Sequence, residues 1–434
     1  MRICHFTNTF LPHVGGVARA VQTLLEDQRR SRHRVLVVAP EFDEGLAPRR
    51  IERSVLRIPA FTHFNDSDFS VRIPFAATLS QRLAKFRTDI IHAHHPFLLG
   101  DTALREAASR QVPIVFTHHT LYEQYTHYLP IESEVVGDIA AEIATRFANN
   151  CSAVIAPSQS VADLIRSRGV AVPIHVIPTG IDCQQIAQGE GARARQRWRI
   201  PASAPVIGHL GRFAAEKNLP YLAEAVARTL KRNRQAWALF VGDGPSRAAM
   251  DRIFNTSRVG DRVIFTGKLS GRRLHDACAA MDLFAFSSKS ETQGLVLAEV
   301  MVSGTPVIAL DASGAREVVR DRHNGRLLPA DATVEHFARA LSGAVRSLDS
   351  RRRWSEAARR TAAEFDRIKT SDKLQQLYQQ LFEENGNKLK ETNAVARVLN
   401  PIIERISTEG RIIADKAGAL FVSRSREMMA SGTA

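Results

Sequence analysis

Glu291 and Glu299 bracket the segment most suited to chemistry, Ser290-Glu291-Thr292-Gln293-Gly294-Leu295-Val296-Leu297-Ala298-Glu299. A polar loop turns there straight into an apolar helix. The first N–H groups of such a helix have no preceding turn to bond to, so the amides of Gln293, Gly294 and Leu295 suit a phosphate. Gly294 lets a ligand approach the backbone. Glu291, in the loop, can reach sugar hydroxyls, and Glu299, about one turn into the helix, can accept hydrogen bonds from a ribose. The plain alternative is a capped amphipathic helix without a ligand. Glu299 on an otherwise apolar helix speaks against it.

A second loop, Gly211-Arg212-Phe213-Ala214-Ala215-Glu216-Lys217-Asn218, puts a planar guanidinium and an ammonium five residues apart. Arg212 and Lys217 would bind a diphosphate and stabilise its charge as a leaving group. Gly15 and Gly16, in Pro12-His13-Val14-Gly15-Gly16-Val17, form a turn that can bring backbone amides to phosphate or sugar oxygens. His92, His94, His95, His118 and His119 stand at strand ends. They come with no cysteine or carboxylate at metal-ligand spacing, so hydrogen bonds to sugar hydroxyls are expected of them, and no metal site. Asp66-Ser67-Asp68 has no strand leading into it and reads as surface turn chemistry.

These loops need strands to hold them. Short β-branched runs occur at Met1–Phe6, Val35–Ala39, Ile90–His92, Ile114–Thr117, Ala153–Ala156 and His175–Ile177, with helical stretches such as Val17–Arg30 and Asp101–Arg110 between them. A second series runs through Val206–Leu210, Ala238–Val241, Val263–Thr266, Leu283–Ser287 and Val307–Leu310, with helices at Leu219–Lys231 and Leu295–Val302. This alternation predicts an α/β fold of two doubly wound parallel sheets. Ligands then bind outside the carboxyl ends of the strands, in a cleft the two domains face. The expected domains are 1–183 and 205–370, joined by a polar linker at 184–204. A return helix at 371–387 and a helical tail at 388–434 follow. In the tail Leu399, Ile402, Ile403 and Ile406 have helical spacing, and packing on the body is favoured over an interfacial helix.

At 434 residues the chain is long enough for two cores. No leader segment and no apolar run of spanning length is read, and the four scattered cysteines fit a reducing compartment. The net charge of +14 is uneven: +1 in residues 1–183, +10 in 184–387 and +3 beyond. An anionic partner is implied. Solvated helix faces and an anionic membrane surface are both open readings, and no nucleic-acid motif is present.

Together these motifs resemble the retaining GT-B-fold glycosyltransferases, the large family that includes sucrose synthases and bacterial phosphatidylinositol mannosyltransferases. Glu291 and Glu299 match its E-x7-E pair, Gly211–Asn218 its G-R-x-x-x-E-K-N element, and Gly15-Gly16-Val17 its glycine loop. His119, in Thr117-His118-His119-Thr120, matches its T-x-H-T histidine, and Val241–Pro245 and Val176–Asp182 are also similar. The resemblance covers residues 1–385. Gln293 stands where most members carry Phe. With His94-His95-Pro96-Phe97 and Leu121–Pro130, it makes the chain look like the bacterial diacylglycerol glucosyltransferases. The resemblance implies a metal-independent enzyme without a cofactor, a UDP-sugar donor with UDP-glucose foremost, and α-linked transfer. His119, Glu291, Arg212 and Lys217 would be catalytic. Gly15, Gly16, Arg212, Lys217, Glu291, Gln293, Gly294, Leu295 and Glu299 would bind the donor. His94, His95, Tyr122, Tyr125 and Tyr128 would face a lipid acceptor, from a cytoplasmic position on the inner membrane surface. A polyprenyl-linked glycan or a soluble sugar as acceptor, a non-catalytic nucleotide-sugar-binding protein and an epimerase stay open beside it.

Overall fold

The structure, a computed structural model, describes residues 1–13, 15–42, 48–61, 71–72, 76–121, 134–391 and 394–431. The chain forms two units, Met1–Pro178 with Thr370–Ala434, and Thr179–Lys369. In unit 1 the strands are β1 (Arg2–Phe6), β2 (Arg34–Pro40), β3 (Val55–Ile58), a short antiparallel pair β4 (Ala60–Phe61) and β5 (Val71–Arg72), β6 (Ile90–Ala93), β7 (Ile114–Thr117), β8 (Ala153–Ala156) and β9 (Ile174–Val176). Seven of them make one parallel sheet in the order β3-β2-β1-β6-β7-β8-β9.

Unit 2 holds β10 (Val206–Leu210), β11 (Trp237–Val241), β12 (Val263–Phe265), β13 (Leu283–Phe286), β14 (Val307–Leu310) and β15 (Gly325–Leu328). Their order is β12-β11-β10-β13-β14-β15, again all parallel. In both sheets the first three strands are added in one direction across the sheet and the later strands in the other. The order therefore reverses beside the first strand, between β1 and β6 and between β10 and β13. At such a switch point the loops on either side diverge and leave room for a ligand.

Both sheets are buried on both faces, as parallel sheets must be. In unit 2 the period of two is plain. Val206, Leu239, Val241, Phe284, Phe286 and Val307 pack into one core, while Ile207, Ala238, Phe240, Leu283, Ala285 and Ile308 pack into the other. The stretch 184–204, expected as a linker, carries helices at Cys183–Ile186 and Gly191–Arg197, which bury Ile186 and Ala194. The helix Arg367–Glu391 brings the chain back to unit 1, where Leu374, Leu377, Tyr378 and Leu381 pack against Ile3, Ile90, Val115, Ala153 and Ile155.

The tail is one long helix, Ala394–Ser431, resting on the helices Leu99–Arg110 and Glu134–Asn149. Its inner face is Thr408, Ile412 and Ala419, at 3%, 5% and 1% exposure. Arg105 holds Glu409 through two bonds of 2.6 and 2.9 Å, and Lys416 meets Asp101 at 2.6 Å. The tail packs as expected, but by other residues. Ile402, Ile403 and Ile406 are 57–69% exposed, because the ion pairs and Ile412 turn the opposite side of the helix inward. The side chain of Leu399 lies outside the described residues. Among the described residues no helix is long and apolar enough to cross a membrane.

Candidate functional site

In unit 2 the two loops singled out from sequence leave adjacent strands at the switch point. Gly211–Asn218 follows β10 and 287–294 follows β13. They are bonded to each other. Lys217 Nζ donates to Glu291 Oε1 at 2.5 Å, and both side chains are mostly buried. Ser287 Oγ donates to the carbonyls of Lys217 and Asn218 at 2.9 and 3.0 Å, and Ser288 Oγ donates to Glu291 Oε1 at 3.2 Å. A cation and a carboxylate are thus fixed side by side. A diphosphate would compete with Glu291 for Lys217, and a sugar hydroxyl could donate to the carboxylate so released. Arg212 is exposed in the same loop.

Gly294 caps the helix Leu295–Val302 with φ +71°, a left-handed conformation that glycine adopts without strain. A Cβ there would stand 2.7 Å from the carbonyl oxygen of Gly314, and one on Gly314 would stand 2.7 Å from Cβ of Glu291. Gly314 follows β14, so a third loop closes on the site. Its short spacing in sequence offered little sign of this. Glu299 is half-buried one turn along the helix.

Gln293, whose backbone amide is the group expected at the phosphate, uses its side chain elsewhere. It is 4% exposed, and its amide pairs with the backbone of Thr179. Oε1 accepts from Thr179 N and Nε2 donates to Thr179 O, both at 2.9 Å. Its side chain pins the loop to the start of the unit, which leaves only its backbone amide for a donor. His209, on β10, was not anticipated. Its Nδ1 donates to Ala285 O at 3.0 Å, and its buried Nε2 has no partner among the described residues. Burial pushes it down to about 4, with Lys217 adding to the effect.

In unit 1 Gly15 is the N-cap of the helix Gly16–Arg30, after β1. The histidines gather at the switch point between β1 and β6. Strand register puts His5 beside His92, and His94 and His119 follow β6 and β7. His5 Nδ1 lies 2.9 Å from His94 Nε2, and His94 Nδ1 lies 2.9 Å from His119 Nε2. His92 bonds Tyr378 Oη and Thr117 Oγ1, each at 2.6 Å. Burial lowers all of these rings, His5 to about 4 and His95 and His119 to about 3.

His94 and His95 were expected to face the acceptor. Both are buried, at 0% and 6% exposure. His94 spends both ring nitrogens on other histidines, and His95 Nδ1 accepts from Asn8 N at 3.1 Å. His119 is the half-buried end of the group. Tyr122, Tyr125 and Tyr128, like Asp66 and Asp68, lie outside the described residues. Nitrogens of His5, His92 and His94 lie within 4.8 Å of one another, close enough to hold a metal ion. Each of those six nitrogens has a hydrogen-bond partner instead. His5, its partner Gln28, and Tyr378, which bonds His92 and Gln28, were not singled out from sequence. The available sign was a histidine inside the otherwise apolar strand Ile3-Cys4-His5-Phe6.

Residues 14–185 match the family described as Glycosyltransferase Family 4, and residues 192–361 match Glycosyl transferases group 1. The chain is similar to the alpha-monoglucosyldiacylglycerol synthase of Streptococcus pneumoniae, 31% identical over 335 residues that make up 75% of each chain. It is also similar to a GDP-mannose-dependent alpha-mannosyltransferase of Mycobacterium tuberculosis, 31% identical over 83% of this chain and 92% of that one. Among solved structures, sucrose-phosphate synthase from Thermosynechococcus elongatus has a TM-score of 0.71 at 22% identity, over 88% of this chain and 99% of that one. HepE of Anabaena in complex with UDP has 0.69 at 21%, over 88% and 100%. At these identities the likeness is one of fold.

Proposed function

We propose, from the premise that this chain belongs to the glycosyl transferases of group 1 and is a nucleotide-sugar-dependent enzyme of GT-B fold, that it moves glucose from UDP-glucose to a membrane lipid such as diacylglycerol. The observation that carries the reading is the Lys217–Glu291 pair between the two switch-point loops, beside the helix N-terminus at Gly294. Arg212 and Lys217 hold the diphosphate, and the amides of Gln293, Gly294 and Leu295 hold its distal phosphate. Glu299 binds the ribose. Glu291 and His119 bind the sugar, and Gly15 and Gly16 bring backbone amides to it.

The acceptor hydroxyl oxygen forms the new bond to the anomeric carbon as the bond from that carbon to the phosphate oxygen breaks. The hydroxyl proton passes to the departing phosphate, leaving UDP and an α-glucosyl lipid. Arg212, Lys217 and the helix dipole stabilise the leaving charge, so no divalent ion is required. A lipid acceptor is supported by the diacylglycerol-directed name of one relative, and peripheral membrane contact by the basic charge.

A second reading, with GDP-mannose as donor, is favoured by the mannosyltransferase relative, which the chain covers almost end to end. Incubating the pure protein with UDP-glucose, UDP-galactose or GDP-mannose separates them, each against extracted membrane lipid or soluble sugars, with products read by mass spectrometry. A hexosyl lipid from UDP-glucose, formed also in a chelator, is the expected result. Mannosyl product alone selects the second reading. Donor binding without product from any pair would leave a binding protein, and epimerised donor without acceptor would leave an epimerase.

A further inference from the structure

We propose that Gln28 and the rings of His5 and His94 form a hydrogen-bonded chain that sets the tautomer of His119, holding its Nδ1 as a bare acceptor for a substrate hydroxyl. The inference rests on the reading that His119 touches the transferred sugar, and its geometry lies wholly within unit 1.

The protons can be placed one by one. Gln28, 1% exposed, lies with Oε1 2.8 Å from His5 Nε2. A carbonyl oxygen only accepts, so His5 carries its proton on Nε2. A neutral imidazole then has a lone pair on Nδ1, and His94 Nε2, 2.9 Å away, must donate to it. That empties His94 Nδ1, and His119 Nε2, again 2.9 Å away, must donate there. Nδ1 of His119 is left without a proton. Among the described residues nothing bonds to it, and the ring is half-buried. The argument needs neutral rings. Burial supplies that, holding His5 at about 4, His119 at about 3 and His94 far below its ordinary 6.5.

Turning the Gln28 amide over would reverse every proton in the chain. Tyr378 opposes this. In the structure the amide sets Nε2 toward the Tyr378 hydroxyl, at 3.4 Å, and Oε1 toward His5 Nε2, at 2.8 Å. With Gln28 donating, the Tyr378 proton goes to His92 Nδ1, and His92 Nε2 donates to Thr117 Oγ1. Every donor then has an acceptor. A structural histidine cluster would need no particular direction, and a metal would need the lone pairs turned toward a common centre.

Long-range proton–nitrogen NMR on the full-length, nitrogen-labelled protein at pH 7.5 reads each tautomer directly, without substrate or activity. His119→Gln assigns the signal. The expected spectrum has His119 protonated on Nε2 and bare on Nδ1. Gln28→Met removes the terminal acceptor and is expected to give mixed His119 tautomers, with kcat lowered roughly tenfold or more and the donor KM little changed. Should that variant not fold, Tyr378→Phe, which removes the group orienting Gln28, is expected to shift the mixture the same way. Protonation on Nδ1 in the wild type, a charged ring, or a stoichiometric bound metal would overturn the proposal. Because the tautomer is read without donor or acceptor, its failure is separate from failure of the lipid glucosylation reading. Loss of that reading alone would show as the correct tautomer in a protein that makes no glycolipid.

Discussion

Replacing Lys217 by Met removes the cation from the 2.5 Å pair with Glu291 and keeps the volume of the side chain. Two effects of different size follow. The first is on stability. Both partners keep about a fifth of their side-chain surface, 17% and 22%, so the pair is neither a surface bridge nor a fully buried one. A cost of about 1–2 kcal/mol is expected, between the values for those two extremes. Glu291→Gln in the same background should recover most of it, because no carboxylate is then left uncompensated.

The second effect is on catalysis. Losing one preorganised charge from a leaving phosphate costs about 2–4 kcal/mol in the transition state, or roughly 30- to 900-fold in kcat/KM. The double variant should not recover this. A third consequence has the opposite sign: Glu291→Gln alone should bind UDP more tightly than wild type while turning over more slowly. It no longer competes for Lys217, yet it gives the sugar a weaker acceptor. Urea unfolding, steady-state transfer and calorimetric UDP binding on the four proteins check all three. Near wild-type kcat/KM in Lys217→Met, or activity in the double variant restored along with its stability, would refute the placement of the diphosphate at this loop pair.

Gln293→Ala should cost about 1–3 kcal/mol, since it removes two hydrogen bonds to the backbone of the half-buried Thr179, and a loss below about 0.5 kcal/mol by denaturant unfolding would count against the clamp. Acid should destabilise the protein from pH 6.5 downward. His5 takes its proton near 6.5 when unfolded and near 4 when folded, so the unfolded chain binds more protons between those values and stability falls with pH. That ring alone accounts for about 2 kcal/mol between pH 7 and 5, and unfolding curves flat across this window would contradict its buried, neutral state. Removing residues 394–434 should lower the stability of unit 1 by at least about 2 kcal/mol, through loss of Ile412 and the Arg105–Glu409 and Lys416–Asp101 pairs. Sedimentation with anionic vesicles should survive that truncation and weaken with salt, whereas loss of binding on truncation would assign it to the tail.

Much of the scaffold was legible because parallel strands buried on both faces are short β-branched runs. β10, β13 and β14 were read to within a residue. β3 and β15 were not. Val55–Ile58 follows an arginine-rich turn, and Gly325–Leu328 is short and opens on glycine, so neither stands out from its flanks. In 184–204 the polarity suggested a linker, but Gly189 and Gly191 lie against backbone carbonyls of His275 and Ala279. Bare backbone there lets two short helices pack closely.

The site was legible as residue types and much less as partnerships. Lys217 and Glu291 are 74 positions apart, and Gln293 and Thr179 are 114 apart. Those pairs depend on which strands are neighbours, which spacing along the chain does not state. The histidines show the same limit. Their position at strand ends was visible, but that they bond to one another follows from β1, β6 and β7 lying side by side. The tail isoleucines had a helical period, and a period does not say which face is covered.

Proton NMR of the glycolipid made from UDP-α-glucose, whose anomeric centre is fixed once the glycosidic bond forms, bears on donor, acceptor and mechanism together. The small anomeric coupling of an α-glucosyl lipid is predicted, because in the proposed mechanism the departing phosphate, held by Arg212, Lys217 and the helix N-terminus, takes the acceptor proton on its own face of the sugar. The large coupling of a β-glucosyl lipid would require a base on the opposite face, and would contradict both the mechanism and the roles given to Glu291 and His119.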